Sequence, residues 1–302
     1  MKHLLSIESL TQREIYEVLD LADTVKAGRH SSMPRPLAGQ CWALIFSKSS
    51  TRTRVSFEVG IRELGGDVMF LSANDIQLGR GEPIEDTARV MGRMLGGAVI
   101  RTYRQSDVEV FAEYSQIPTV NALTDDEHPC QILADLQTIR EKTGGIEGRS
   151  LCFVGDGACN VARSWVWAAA RLGFELRIAA PKGFQPDEEL LSIASKTARI
   201  LVTEDVREAA RGADVLYTDV WVSMGKEDEA APRLAAMAPY QINEELVGAA
   251  APGALVMHCL PAYRGKEISA QTFEAHAKTL FDQAENRLHA QKAVLRLIAA
   301  NR

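Results

Sequence analysis

The sequence predicts an α/β protein of two domains, each a parallel sheet flanked by helices, on three observations. Short apolar runs alternate with longer amphipathic stretches, the pattern of strands joined by crossover helices. The alternation comes in two series, separated by the helix-breaking pair Gly144-Gly145. A chain of 302 residues is also longer than one hydrophobic core usually organises.

In chain order, the first series places strands at 42–46, 68–71, 98–101 and 119–122, with helical patterns near 52–64, 83–95 and 107–114. A longer helical pattern over 128–142 runs into the glycine pair, so a first domain is expected over 1–142. The second series places strands at 151–154, 176–180, 200–202, 215–218 and 255–259, within a domain over 143–285. Residues 286–300 read as one more amphipathic helix, in a terminal segment over 286–302. No internal repeat or low-complexity stretch interrupts this order. In parallel sheets of this kind ligands sit beyond the carboxyl ends of the strands, and the motifs there carry the functional argument.

Composition narrows the function classes. No apolar run approaches the roughly 20 residues of a membrane span, and the amino terminus lacks the apolar core of a signal peptide. A soluble, cytoplasmic protein is expected, without a membrane partner. The five cysteines (Cys41, Cys130, Cys152, Cys159 and Cys259) are scattered and lack the paired spacing of a zinc site or disulfide framework. Reduced thiols and no metal are the reading. A formal charge of −6 argues against nucleic acid as a partner, while a local basic pocket for a small anion remains compatible with it.

Such a pocket is written directly after the first strand, in Ser47-Lys48-Ser49-Ser50-Thr51-Arg52-Thr53-Arg54. Strand, hydroxyl-rich turn and helix amino terminus together make an anion site. Backbone N–H groups and the helix dipole face the turn, Ser and Thr add short donors, and Arg offers a planar fork for phosphate oxygens. Ser50 alone would be an ordinary helix cap, but two hydroxyls and two arginines beside it ask for more. The Gly-rich spacer of a Walker loop is missing. In the second series, Gly155-Asp156-Gly157 follows a strand and suggests a dinucleotide-binding oxidoreductase. That reading is weak, because the third glycine falls on Asn160 and the acidic residue at the expected distance, Glu175, precedes its strand.

The segment 46–58 resembles the carbamoyl phosphate signature of the aspartate and ornithine carbamoyltransferase family. Other blocks agree in order along nearly the whole chain. Asn121-Ala122-Leu123-Thr124-Asp125-Asp126-Glu127-His128-Pro129-Cys130-Gln131 is similar to the segment whose His and Gln touch the carbamoyl group. Gln77-Leu78-Gly79-Arg80-Gly81-Glu82 resembles a loop lent by a neighbouring subunit, although no role is assigned to Arg80. Asp219-Val220-Trp221-Val222-Ser223-Met224-Gly225 and His258-Cys259-Leu260-Pro261 resemble the acceptor-side motifs of the ornithine members. Outside these motifs a lone histidine before a proline is more often a cap, and a strand-end cysteine is more often packing.

The resemblance implies a ligand set. Ser50, Thr51, Arg52, Thr53 and Arg101 would hold the phosphate, with Gln77 supplied across a homotrimer interface. Arg101, His128 and Thr53, helped by Arg287, would donate to the carbamoyl oxygen. Pro129, Cys130, Gln131, Cys259 and Leu260 would complete that site. Asp219 and Ser223 would hold the α-ammonium of ornithine, Asn160 and the Met224 backbone its α-carboxylate, and Cys259 would lie near the side-chain amine. The terminal helix would pack back on the first domain and carry Arg287 with it, while Ser223, Met224 and Gly225 would move as a lid on domain closure. No metal or organic cofactor is implied. The expected reaction is carbamoyl transfer from carbamoyl phosphate to the δ-amine of L-ornithine. Putrescine or an acylated ornithine is the alternative acceptor, and a non-catalytic homologue would have lost phosphate ligands that are intact here.

Overall fold

The structure is a computed structural model that describes residues 1–29, 31, 33–72, 81–222, 225 and 227–301. Gln77 and Arg80, and Ser223 and Met224, lie outside the described residues. The chain forms two compact units, one of Met1–Gln137 with Asn286–Arg302 and one of Thr138–Glu285. Among the described residues, no helix is long and apolar enough to cross a membrane.

The first unit opens with α1 (Gln12–Ala27), which precedes the first expected strand. A reciprocal capping box between Thr11 and Glu14 starts it, and Ile15, Val18, Leu19, Ala22 and Val25 form its buried stripe. Then follow β1 (Cys41–Phe46), α2 (Thr51–Glu63), β2 (Asp67–Ser72), α3 (Ile84–Met91), β3 (Gly97–Arg101), α4 (Gln105–Ser115), β4 (Thr119–Leu123) and α5 (Pro129–Thr143), whose residues from Thr138 onward belong to the second unit. The strands form a parallel sheet in the order β2-β1-β3-β4. β1 and β3 are buried almost throughout, as strands covered on both faces must be. Gly97 is required there, because a Cβ would lie 2.6 Å from the ring of the fully buried Trp42. From β1 the chain crosses to β2 on one side, whereas β3 pairs on the other. The carboxyl ends of β1 and β3 therefore form a topological switch point, the usual ligand crevice of such a sheet.

The second unit contains β5 (Ser150–Val154), α6 (Asn160–Leu172), β6 (Glu175–Ala179), α7 (Glu188–Ala194), β7 (Ile200–Thr203), α8 (Val206–Ala210), β8 (Val215–Thr218), α9 (Ala230–Met237), α10 (Glu244–Ala249), β9 (Leu255–His258) and α11 (Ala270–Ala275). Its parallel sheet runs β7-β6-β5-β8-β9, with the switch point between β5 and β8. A buried aromatic group of Phe153, Trp165, Phe174 and Tyr217 fixes α6 on this sheet, with ring centroids 5.5–6.0 Å apart.

The last helix, α12 (Ala277–Ala300), begins nine residues before the expected position at 286, and from Asn286 onward it belongs to the first unit. The return of the terminal helix is as expected. Lys26 Nζ donates to Asn286 Oδ1 at 2.8 Å, and Lys292, almost fully buried, pairs with Glu63 at 2.5 Å. Gly60 on α2 makes room for this approach, since a Cβ there would meet Lys292 at 3.1 Å and Leu288 at 3.4 Å.

Candidate active site

The switch point of the first unit gathers one cluster. Ser47 N–H donates to Arg101 O at 2.8 Å and ties the turn after β1 to the end of β3. Ser50 is the extended N-cap of α2, and its Oγ accepts from Thr53 N–H at 3.3 Å. The amino end of α2, with its partial positive charge, thus faces the crevice. Thr51 is exposed and Arg52 half-buried in the first turn. Arg54 goes elsewhere, donating to Glu58 Oε1 at 3.0 Å and stacking 3.8 Å over Phe70. Arg101 ends β3 where the β3–β4 register shifts.

Thr53, Arg101, His128, Gln131 and Arg287 are only 1–7% exposed, and hydrogen bonds tie Arg287 to Gln131 and Thr53. Arg287 Nη1 donates to Gln131 Oε1 at 2.6 Å, and Nη2 donates to Thr53 Oγ1 at 3.2 Å. Gln131 donates in turn to Asp135 at 2.8 Å. With the Gln291 amide in its hydrogen-bonding orientation, its oxygen accepts from Arg287 Nε at 3.3 Å and Nη2 at 3.1 Å. Burial, then Arg287 and Arg101, hold the His128 imidazole well below its ordinary pKa, so it is neutral at pH 7. Neutral imidazole can still donate one N–H, while the arginines carry the positive charge. Pro129 opens α5, and the Cys130 thiol, pushed up to about 12 by burial, donates to Asn121 O at 3.3 Å. The Cys130 thiol is therefore protonated.

The second unit gathers its cluster beyond β5, β8 and β9. Gly155 leaves β5 at φ +128, a conformation open to glycine, and Asn160 starts α6. Asp219 follows β8, and its Oδ1 accepts from Val220 N–H at 2.7 Å and from the Cys259 thiol at 2.8 Å. Burial raises the Asp219 carboxyl above the ordinary carboxylate value, opposed by His258 and by these hydrogen bonds. His258 Nδ1 accepts from Leu260 N–H at 2.8 Å, which puts the proton on Nε2, facing Glu267 Oε1 at 3.2 Å. Leu260 itself holds φ +56, a left-handed conformation rare outside glycine. Asp219, His258 and Cys259 offer three ligand atoms within 4.8 Å of one another. Both ring nitrogens of His258 are already committed, however, so a cation there would have to displace one of its hydrogen bonds.

Lys48, Gln291 and Glu267 are among the residues at these clusters to which the sequence alone assigned no role. Lys48 is buried, pairs with Asp125 and lies 4.3 Å over the Tyr103 ring; its place inside the hydroxyl-rich turn was the available signal. Gln291 lies one helical turn after Arg287, the i,i+4 spacing at which side chains meet. Glu267 is fully buried, which nothing local in sequence announces.

The model of a family described as aspartate/ornithine carbamoyltransferase, carbamoyl-P binding domain, matches residues 2–141, and that of the Asp/Orn binding domain matches residues 147–298. The chain is 58% identical to the ornithine carbamoyltransferase of Akkermansia muciniphila, over 99% of this chain and 98% of that one. It is 52% identical to that of Methanothermobacter thermautotrophicus, over 98% of each. Among solved structures, the anabolic ornithine carbamoyltransferase of Campylobacter jejuni superposes with a TM-score of 0.94 at 40% identity, covering 100% of both chains. The Pyrococcus furiosus enzyme gives 0.93 at 44% identity, covering 99% of this chain and 97% of that one.

Proposed function

The chain belongs to the aspartate/ornithine carbamoyltransferase family, and from that premise we infer that it transfers the carbamoyl group of carbamoyl phosphate to the δ-amine of L-ornithine, giving L-citrulline and phosphate. Support for the donor side comes above all from the convergence of Arg101, His128 and Arg287 at a switch point beside a helix amino terminus. Ser50, Thr51, Arg52, Thr53 and Arg101 neutralise the phosphate, which makes it a better leaving group. Arg101, Thr53, neutral His128 and Arg287 donate to the carbamoyl oxygen as it becomes an oxyanion, the usual large electrostatic contribution.

On the acceptor side, Asp219 and Ser223 take the α-ammonium, and Asn160 with the Met224 backbone takes the α-carboxylate. The Cys259 thiol lies beside the δ-amine without opposing its neutral form. A lysine-like amine near pKa 10.4 costs roughly 4–5 kcal/mol to deprotonate at pH 7, and desolvation offsets part of that. The N–C bond forms, the C–O bond to phosphate breaks with its electron pair leaving on the phosphate oxygen, and the departing phosphate takes up the proton that the amine gives up. In this direction the reaction serves arginine biosynthesis, in the reverse citrulline breakdown, and a cytoplasmic setting suits both.

The test is citrulline formation from carbamoyl phosphate with ornithine, aspartate, putrescine and acetylornithine offered side by side. Turnover with ornithine alone is expected, and turnover with another acceptor in its place would overturn the assignment.

The assembly in this reading is a homotrimer in which Gln77 is donated to the neighbour's site. A cyclic trimer has head-to-tail interfaces, so each chain gives one such loop and receives one. Mixing inactive Gln77→Ala with inactive Arg101→Ala under subunit exchange should restore activity that neither parent has. Hybrid trimers seen by mass spectrometry without recovered activity would show that Gln77 is not shared.

A further inference from the structure

We propose that Glu127 is a positioning residue for His128, held by the peptide N–H groups of the amino-terminal segment. The inference rests on the role of His128 in the reading above and adds a residue to it. Glu127 is 2% exposed, an unusual place for a carboxylate without a dedicated set of donors. Its Oε2 accepts from Ile7 N–H at 2.8 Å and its Oε1 from Glu8 N–H at 3.3 Å, 120 and 119 residues away in sequence. A carboxylate, which only accepts, suits two converging N–H groups, whereas an amide matches only one of them.

The backbone on either side is fastened as firmly. Glu127 N–H donates to Thr124 Oγ1 at 3.1 Å, and Thr124 N–H donates back to Glu127 O at 2.9 Å, which closes the loop between β4 and α5. Thr124 Oγ1 also donates to Gln105 Oε1 at 2.9 Å. The amino-terminal segment is itself anchored to this sheet edge. Leu4 bridges β4 through Leu4 N–H to Thr119 O at 3.0 Å and Asn121 N–H to Leu4 O at 2.7 Å, and Asn121 Nδ2 donates to Leu5 O at 2.8 Å. Glu127 thus ties a loop to the anchored amino-terminal segment at the residue immediately before His128. The His128 carbonyl in turn accepts from Gln131 N–H at 3.0 Å in the first turn of α5, so the loop sets where the imidazole enters the cluster. Misplacing a donor by about 1 Å costs up to about 100-fold in rate.

Glu127→Gln keeps the shape and withdraws one acceptor. It should lower kcat by about 10-fold or more, with KM for ornithine unchanged. The decisive measurement is a double-mutant cycle with His128→Asn. If Glu127 acts through His128, E127Q adds almost no loss of kcat once His128 is gone. Additive losses in the double variant, with a full loss in His128→Asn alone, overturn the inference and leave the site reading standing. Normal turnover in His128→Asn overturns the assignment of His128 and this inference with it. Should E127Q not fold, Thr124→Val loosens the same loop through the Glu127 N–H, and the same non-additivity is expected of it.

Discussion

Arg101→Ala is expected to lower turnover at saturating carbamoyl phosphate and ornithine by about 10²–10³-fold, the usual cost of removing one preorganised donor to a developing oxyanion. The expectation follows from where the guanidinium sits. Arg101 ends a buried central strand at a register shift, its side chain is enclosed, and it acts electrostatically on His128. In a crevice closed to water a charge-assisted bond is worth more than at the surface. Arg101→Lys should recover only part of the loss, because a point charge cannot reproduce a planar fork.

A second readout comes with this variant. Burial is the main reason His128 is held below its ordinary pKa, and Arg287 and Arg101 add to it. Removing Arg101 should move the imidazole pKa upward, as seen by NMR titration of the ring protons. The sign carries into stability. A folded state that keeps this imidazole neutral loses stability as pH falls below about 6.5, where the unfolded chain takes up the proton. That acid-side loss should be smaller in Arg101→Ala. Unchanged kcat would remove Arg101 from the mechanism, and an unmoved His128 titration would mean that the two groups are not coupled.

The parts of this arrangement that were legible in sequence are those that local chemistry dictates. Buried parallel strands read as apolar runs, and the strand-turn-helix order around residues 47–54 reads directly from the apolar run, the hydroxyl-rich turn and the amphipathic stretch after it. α1 was equally written, in the Thr11/Glu14 capping box and the spacing of Ile15, Val18, Leu19, Ala22 and Val25, but it precedes the first strand and was not among the expected elements. The early start of α12 was hidden for a physical reason. Gln283, Asn286, Arg287, His289, Gln291 and Lys292 are polar yet buried, so the helix has no clean apolar stripe. Gln283, for instance, accepts from His258 N–H at 3.0 Å. Partnerships such as Arg287 with Thr53, or Glu127 with Ile7, join residues more than a hundred positions apart, and no local pattern encodes them.

Asp219→Asn is expected to separate function from stability in opposite directions. The variant keeps the Oδ1 that accepts from Val220 N–H and Cys259, so the local hydrogen bonds survive. What it loses is the charge that, in the proposed function, holds the ornithine α-ammonium. Truncating one partner of a desolvated charge pair costs about 2–5 kcal/mol, so kcat/KM for ornithine should fall by about 30-fold to several thousand-fold. Calorimetric binding of a carbamoyl phosphate analogue should stay nearly unchanged. Stability should move the other way. Burial raises the Asp219 carboxyl above its ordinary value, so the ionised group subtracts from folding stability above the unfolded-state pKa of about 3.9, and below about pH 3, where both states are protonated, the penalty vanishes. The Tm of the unliganded Asn variant should therefore exceed that of the native chain at pH 7–8, and the gap should close as the pH falls toward about 3. Saturating ornithine should raise the Tm of the native chain and leave the variant where it was, because only a ligand that binds the folded state stabilises it. Equal losses of ornithine and analogue binding would make Asp219 a structural carboxylate, and a lower Tm at neutral pH would mean that its charge is compensated within the unliganded fold.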